Sequence, residues 1–263
     1  MNKTLRYNVI AMLLGAVAMA PKALASSATT VVYFGGFGSC SVAGDPGDLK
    51  VNDFLSDLGE EIAGAREGAV RVIRNCFAVG SSRVFSTQTF AGGEPSEISE
   101  TNPERLIDSL ASQLRQAGSQ VVVVGQSHGG VMAARLVARL QAPEQVKLLI
   151  TVDPISIRTC GPMTVTNGFL GGLFGGGGDP GCVGEPAEIG ELGAAIANGS
   201  SFWLNIYQDD FAPLHSGAAQ RADENLRFDG LDGGWHPMGA HAATETDSTI
   251  LELIWNRALA VVE

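Results

Sequence analysis

Two rhythms of apolar and polar positions run along the chain. From Thr29 to Phe34, "TTVVYF" is a short β-branched and aromatic run that stops at "GGFG", which predicts a buried strand followed by a turn. Between Leu49 and Ala65 the apolar residues Phe54, Leu55, Leu58 and Ile62 recur at helical intervals. Val70 to Ile73 and Arg83 to Phe90 are ambiguous, and each fits an extended segment. "AGGEPSEISETNPERL" reads as a loop that closes on a helix start. There Thr101 and Glu104 have capping-box spacing, while Asn102 before Pro103 offers a competing cap. Leu106, Ile107, Leu110 and Leu114 give that helix one apolar stripe, and Gly118 ends it.

The rhythm then alternates quickly. A strand over Gln120–Val124 meets a sharp corner, a helix over Gly130–Leu140 follows, and Val146–Val152 makes a further strand before Asp153-Pro154. Strand runs that are apolar throughout, rather than at every second position, indicate strands buried on both faces. With helices between them they predict an α/β class: one domain with a mainly parallel sheet and helices on both faces. Residues Gly161 to Pro186 interrupt the pattern with "NGFLGGLFGGGGDPG", a low-complexity stretch that nonetheless carries Phe169, Leu170, Leu173 and Phe174. "SFWLNIYQ" at Ser201–Gln208 resumes the sheet. A long loop with three of the four histidines leads to a last helix from about Ser248 to Val261. No internal repeat and no linker divides the chain.

Charge and cysteine content narrow the classes. The N-terminal stretch to Ala25 places Lys3 and Arg6 before an apolar run from Val9 to Ala20, and ends in Ala-Leu-Ala. This is the three-part pattern of a secretory leader cleaved after Ala25, leaving residues 26–263 as the domain. The apolar run is shorter than the roughly 20 residues a spanning helix needs. The chain's formal charge is −11, and loss of Lys3, Arg6 and Lys22 with the leader makes the remainder more acidic still. Such a surface repels phosphate backbones and anionic headgroups, which argues against nucleic acid as a partner. Cys40, Cys76, Cys160 and Cys182 are even in number in an exported chain, which favours disulfides. Three pairings are open, Cys160–Cys182 and Cys40–Cys76 among them. No Cys-x-x-Cys or Cys/His cluster points to a metal.

The corner at 125–129 carries the chemistry. Gly125-Gln126-Ser127-His128-Gly129 fits Gly-x-Ser-x-Gly between a strand and a helix, the context that pattern requires. A serine there is held on a strained turn, flanked by residues small enough to let strand and helix pass. On these residues the chain resembles the α/β-hydrolases, and more narrowly the secreted serine lipases and esterases of that fold. The resemblance covers most of Thr29 to Glu263 in element order and spacing. It implies a nucleophile, an acid and a histidine in that chain order, and no cofactor.

A serine hydroxyl needs a base to take its proton, and the base needs an acid to hold its tautomer. The resemblance places the base in the loop before the last helix. His241 stands there, with His236 five residues earlier as the alternative, and His215 is a weaker third. His128, inside the elbow, reads as supporting structure. For the acid, Asp153 terminates the better-defined strand, while Asp209 and Asp210 follow the next one. Oxyanion donors are expected from the His128 N–H and from the "FGGFG" loop at Phe37 or Gly36; Phe34 stands where the family often has histidine. The expected substrate is a small-molecule or lipid ester. The apolar residues of the 161–186 loop suggest contact with a lipid interface. Thioesters and amides suit the same arrangement, and a non-catalytic secreted binding protein on this fold is the rival from another class.

Overall fold

Side chains of a strand alternate between the faces of its sheet, and in this chain both sets are apolar. The computed structural model describes residues 29–37, 39, 70–77, 84–90, 97–155, 186–208, 216–228, 244 and 247–262. Its strands are β1 (Thr29–Phe37), β2 (Val70–Phe77), β3 (Val84–Phe90), β4 (Glu97–Thr101), β5 (Gln120–Gln126), β6 (Val146–Val152), β7 (Trp203–Tyr207) and β8 (Glu224–Arg227). The helices are α1 (Pro103–Ala117), α2 (His128–Leu140), α3 (Ala187–Ala197) and α4 (Ser248–Val262). Val32 and Phe34 of β1 and Val121 and Val123 of β5 pack with α1, α2 and α3 on one face. Val31, Tyr33, Val122 and Val124 pack with Ile250, Ile254 and Ala258 of α4 on the other. Burying such side chains contributes roughly 1.5–3 kcal/mol each, so the sheet holds its helices from both sides.

The strands join in one sheet in the order β4-β3-β2-β1-β5-β6-β7-β8. All pairs from β2 to β8 are parallel, and β3 and β4 add an antiparallel edge. This is the expected α/β architecture with a mainly parallel sheet. From β1 the chain moves outward through β2, β3 and β4. Through α1 it returns to the other flank of β1 and continues outward as β5 to β8. The direction of winding therefore reverses between β1 and β5. In open α/β sheets ligands bind at the carboxyl ends of the strands at such a reversal.

Local signals explain the best-defined elements. Asn102 caps α1 by accepting a 2.9 Å hydrogen bond from the Glu104 N–H, with Pro103 in the first turn; Asn102, not the Thr101 box, is the cap. Gly118 ends the helix in the left-handed region at φ 62°, its N–H donating to the Leu114 carbonyl. Asp247 caps α4 by accepting from the Thr249 and Ile250 N–H groups. Arg257 fastens that helix to the sheet edge by pairing with Glu224 at 2.7 Å and lying over the Phe202 ring.

Three expectations are corrected. β1 does not end at Phe34 in a turn: it shifts register after that residue and pairs again at Phe37 with Phe77. The stretch expected as a loop after Phe90 contains β4, a polar segment made a strand by backbone pairing with β3. The long loop after Gln208 contains β8, which among the described residues pairs with β7 alone. α3, with two glycines and no cap hydrogen bond, has poor intrinsic propensity and is held by Ile189 and Ile196 in the core. Cys76, near the end of β2, is disulfide-bonded; Cys40, Cys160 and Cys182 lie outside the described residues, as do residues 1–28, where a leader was expected, and the 49–65 and 161–185 segments. No helix among the described residues is long and apolar enough to cross a membrane.

Candidate active site

Ser127 stands at the N-cap of α2, where a serine ordinarily accepts a hydrogen bond from the first turn. It makes no such cap bond. Its backbone is the reason: φ 55° and ψ −128° is a conformation that costs an L-residue about 1–3 kcal/mol and turns the side chain off the helix axis. Three backbone hydrogen bonds impose it. The Ser127 N–H donates to Val152 at 2.9 Å, while its carbonyl accepts from Gly130 at 2.9 Å and from Ile155 at 3.1 Å. The elbow is thereby tied to both sides of Asp153.

Space completes the corner. A Cβ at Gly129 would run into the carbonyl oxygens of Phe34 and Gly35, so α2 starts against the end of β1 only because that side chain is absent. A Cβ at Gly36 would lie 2.9 Å from Ser127 Cβ and 3.3 Å from its Oγ. The carboxyl end of β1 therefore passes directly beside the hydroxyl, at the reversal point of the sheet. Ser39, just beyond the strand, secures this end: its N–H donates to the Gly36 carbonyl and its Oγ accepts from the Phe77 N–H, both at 3.2 Å. The positive end of α2 points at the same place, headed by the His128 N–H. Phe37, the other expected donor position, is the last residue of β1, in register with Phe77.

Asp153 follows β6 and is fully buried. It too has a positive φ, 41°, in a non-glycine residue. Among the described residues only Ser127, Gln141 and Asp153 share that feature, and Gln141 is an ordinary left-handed helix end. A buried carboxylate is costly unless its oxygens are paired. Asp153 Oδ1 accepts from the Ser216 N–H at 2.9 Å and the Ser216 hydroxyl at 2.6 Å, and Oδ2 accepts from Gln208 Nε2 at 3.0 Å. Neither Gln208 nor Ser216 stands out in the sequence. The available signal is a polar Gln ending the apolar run "FWLNIY", with a second polar residue, Asn205, inside it.

His128 is buried and meets Phe77 edge to face, ring centroids 4.9 Å apart. Burial pushes its pKa down from 6.5 to about 4; Glu188 and a hydrogen bond with the Ile155 backbone pull it up, and Arg135 pushes it further down. Arg135 pairs with Glu188 at the start of α3 and with Glu104 of α1, so this cluster joins three helices behind the elbow. A ring kept neutral there suits the supporting role expected of it. His215, His236, His241, Asp209 and Asp210 lie outside the described residues. The structure thus brings together Ser127, Gly36 at the end of β1, the head of α2 and Asp153. Among the described residues no group of three or more His, Cys, Asp or Glu could hold a metal ion.

A mainly parallel α/β sheet with a strained serine at the reversal point defines an α/β-hydrolase-like protein. No protein-family model matches the sequence, and no curated protein matches it. Solved structures do. An esterase from Pyrobaculum calidifontis is 15% identical over 90% of this chain and 77% of its own, with a TM-score of 0.45. A hormone-sensitive lipase from a metagenome library is 15% identical over 91% and 78%, TM-score 0.44. A carboxyl esterase from the fungus Tuber melanosporum is 12% identical over 90% and 80%, TM-score 0.42. The geometry of this chain's own elbow, rather than that likeness, carries the functional reading.

Proposed function

We propose that the protein is an exported serine hydrolase that cleaves carboxylic esters through an acyl-enzyme on Ser127. The observation that carries this reading is a serine at a helix N-cap that does not cap its helix, held at a positive φ beside Gly36 and bound by its backbone to the turn of Asp153. His241 is the base, with His236 as the alternative. It takes the Ser127 proton as Oγ attacks the ester carbonyl, and Asp153 orients the imidazole and stabilises the imidazolium. The His128 N–H and an N–H at Phe37 or Gly36 receive the developing oxyanion, each worth about 10²–10³ in rate. The imidazolium then protonates the departing alkoxide; in the second half the same base takes a proton from a water as it attacks the acyl carbonyl, and returning that proton to Ser127 Oγ as the acyl bond breaks frees the acid and restores the serine.

The disulfide at Cys76 supports an oxidising destination after cleavage near Ala25. The apolar residues of the 161–186 loop support an acyl-binding or lipid-facing cover. Two measurements test the reading. A fluorophosphonate probe should label Ser127 stoichiometrically, and Ser127→Ala should abolish the label. A panel of p-nitrophenyl esters graded by chain length, with one thioester and one anilide, should show ester turnover first. Folded protein that takes no label and turns over nothing would instead be a binding protein on this fold.

A further inference from the structure

We infer that Ser216 and Gln208 are positioning residues for the acid, and that a hydrogen-bonded polar ladder across β6, β7 and β8 decides where Ser216 sits. The inference rests on the assignment of Asp153 as the acid of a serine hydrolase.

The ladder is built into the strand register. Thr151 of β6 lies opposite Asn205 of β7, and Asn205 lies opposite Asn225 of β8, so three polar side chains stand side by side across neighbouring strands, of which β6 and β7 are otherwise mainly apolar. Thr151 Oγ1 accepts from the Trp203 indole N–H at 3.1 Å and donates to Asn205 Oδ1 at 2.8 Å. Asn205 Nδ2 in turn donates to the Gly217 carbonyl at 3.2 Å and to Asn225 Oδ1 at 2.9 Å. Asn225 closes the set by accepting from the Ala219 N–H at 2.8 Å and donating to the Ala219 carbonyl at 2.9 Å. The 217–219 backbone is thus held at two residues by side chains of β7 and β8. Ser216 precedes it directly and grips one oxygen of Asp153 with two donors.

Buried polar side chains are expensive without partners and rigidify their surroundings when every partner is present. Thr151 and Asn205 are fully buried, as are Ser216, Gln208 and Asp153. Apolar residues at 151 and 205 would stabilise a plain sheet core more simply, so the ladder calls for another use. It supplies one: Oδ1 is fixed through Ser216, Oδ2 through Gln208, and the plane of the carboxylate follows. An imidazole docking on that carboxylate meets it in one orientation. The same donors draw charge from the carboxylate, which moderates how tightly it holds the imidazolium proton.

The test compares Ser216→Ala, Ser216→Thr and Gln208→Ala with the full-length wild type, by p-nitrophenyl ester kinetics from pH 4 to 9 and by fluorophosphonate labelling rate. A lost charge-assisted hydrogen bond should lower kcat for Ser216→Ala by about 10- to 100-fold, with KM nearly unchanged. With one donor gone the carboxylate holds the imidazolium proton more tightly, so the acid limb of the profile should move up by about half a unit. Ser216→Thr should recover most of the rate and the wild-type limb. Gln208→Ala should shift the limb in the same direction with a smaller loss of kcat. Loss of rate with the limb unmoved in both alanine variants would reduce the pair to structural support and overturn the inference. So would wild-type kinetics in Ser216→Ala or Gln208→Ala within a protein that still labels at Ser127, which leaves the hydrolase reading intact. If Ser216→Ala does not fold, as judged by circular dichroism, Gln208→Ala decides by the same criterion. A wild type that neither labels nor turns over ester removes the hydrolase reading and this inference with it.

Discussion

The two corners at the carboxyl edge of the sheet, Ser127 after β5 and Asp153 after β6, share a strained positive φ but reach it by different means. The Ser127 corner is shaped by what is missing. Side chains are absent at Gly125, Gly129 and Gly36, so β5, α2 and the end of β1 can close around the hydroxyl. The Asp153 corner is shaped by what has been added: three donors from residues 55 and 63 positions away, braced by a ladder of polar side chains. Steric exclusion suits the nucleophile proposed at Ser127, which must stay open to a substrate. Polar enclosure suits the acid proposed at Asp153, which must stay buried and oriented while its partner changes charge. The first corner is made by local sequence and one neighbouring strand, whereas the second needs the whole sheet edge.

That contrast can be broken or sharpened in steps. The largest effect is expected for Asp153→Asn, which keeps the shape of the second corner and removes its charge; kcat on a p-nitrophenyl ester should fall about 10⁴-fold. Full activity in that variant, with the loss appearing in Asp209→Asn or Asp210→Asn, would move the acid to the next strand. At the first corner, Gly129→Ala sets a methyl against two backbone oxygens that cannot both retreat. Urea unfolding should show a loss of more than about 3 kcal/mol, together with loss of turnover. A variant as stable as wild type would mean that the elbow can relax and that exclusion does not hold it.

Next in size is a pH effect from the ring behind the elbow. The folded protein keeps His128 neutral with its pKa pushed down to about 4, so its contribution is complete above the unfolded value near 6.5. It is lost as pH falls from there through 4, by up to about 3 kcal/mol. Unfolding curves between pH 7 and 4 should therefore fall more steeply for wild type than for His128→Gln; equal slopes would assign the acid sensitivity to other groups. The smallest effect is expected away from both corners. Asn102→Ala removes the α1 cap and should cost about 1 kcal/mol with turnover unchanged.

The elements visible in the sequence are those with a dense local signal. The stripe Leu106–Leu114 with Asn102-Pro103 before it and Gly118 after it delimits α1 to within a residue. The apolar run of β6 delimits that strand equally well, while that of β5 stops two residues short of the strand's end, at the corner. The elements that were not visible lack such a signal: β4 and β8 are polar edge strands, and α3 is a glycine-bearing helix. Each exists because a neighbour offers backbone partners or an apolar surface. The candidate site divides along the same line. Ser127 and Asp153 were legible as residues at corners, but Ser216 and Gln208 were not, since nothing in the spacing of 208 and 216 announces a carboxylate behind them.

The amino-acid sequence by itself determined the α/β class, the strained serine between strand and helix, and the ends of its best-capped helix, because each follows from residues within a few positions of one another. Only the tertiary structure decided that β1 continues through Gly36 past the hydroxyl to pair at Phe37 with Phe77 of β2, and that three donors converge on Asp153. Those relations depend on the reversal of winding between β1 and β5 and on the register of β6, β7 and β8. Register and strand order are settled by the packing of the whole sheet, which no short stretch of the chain contains.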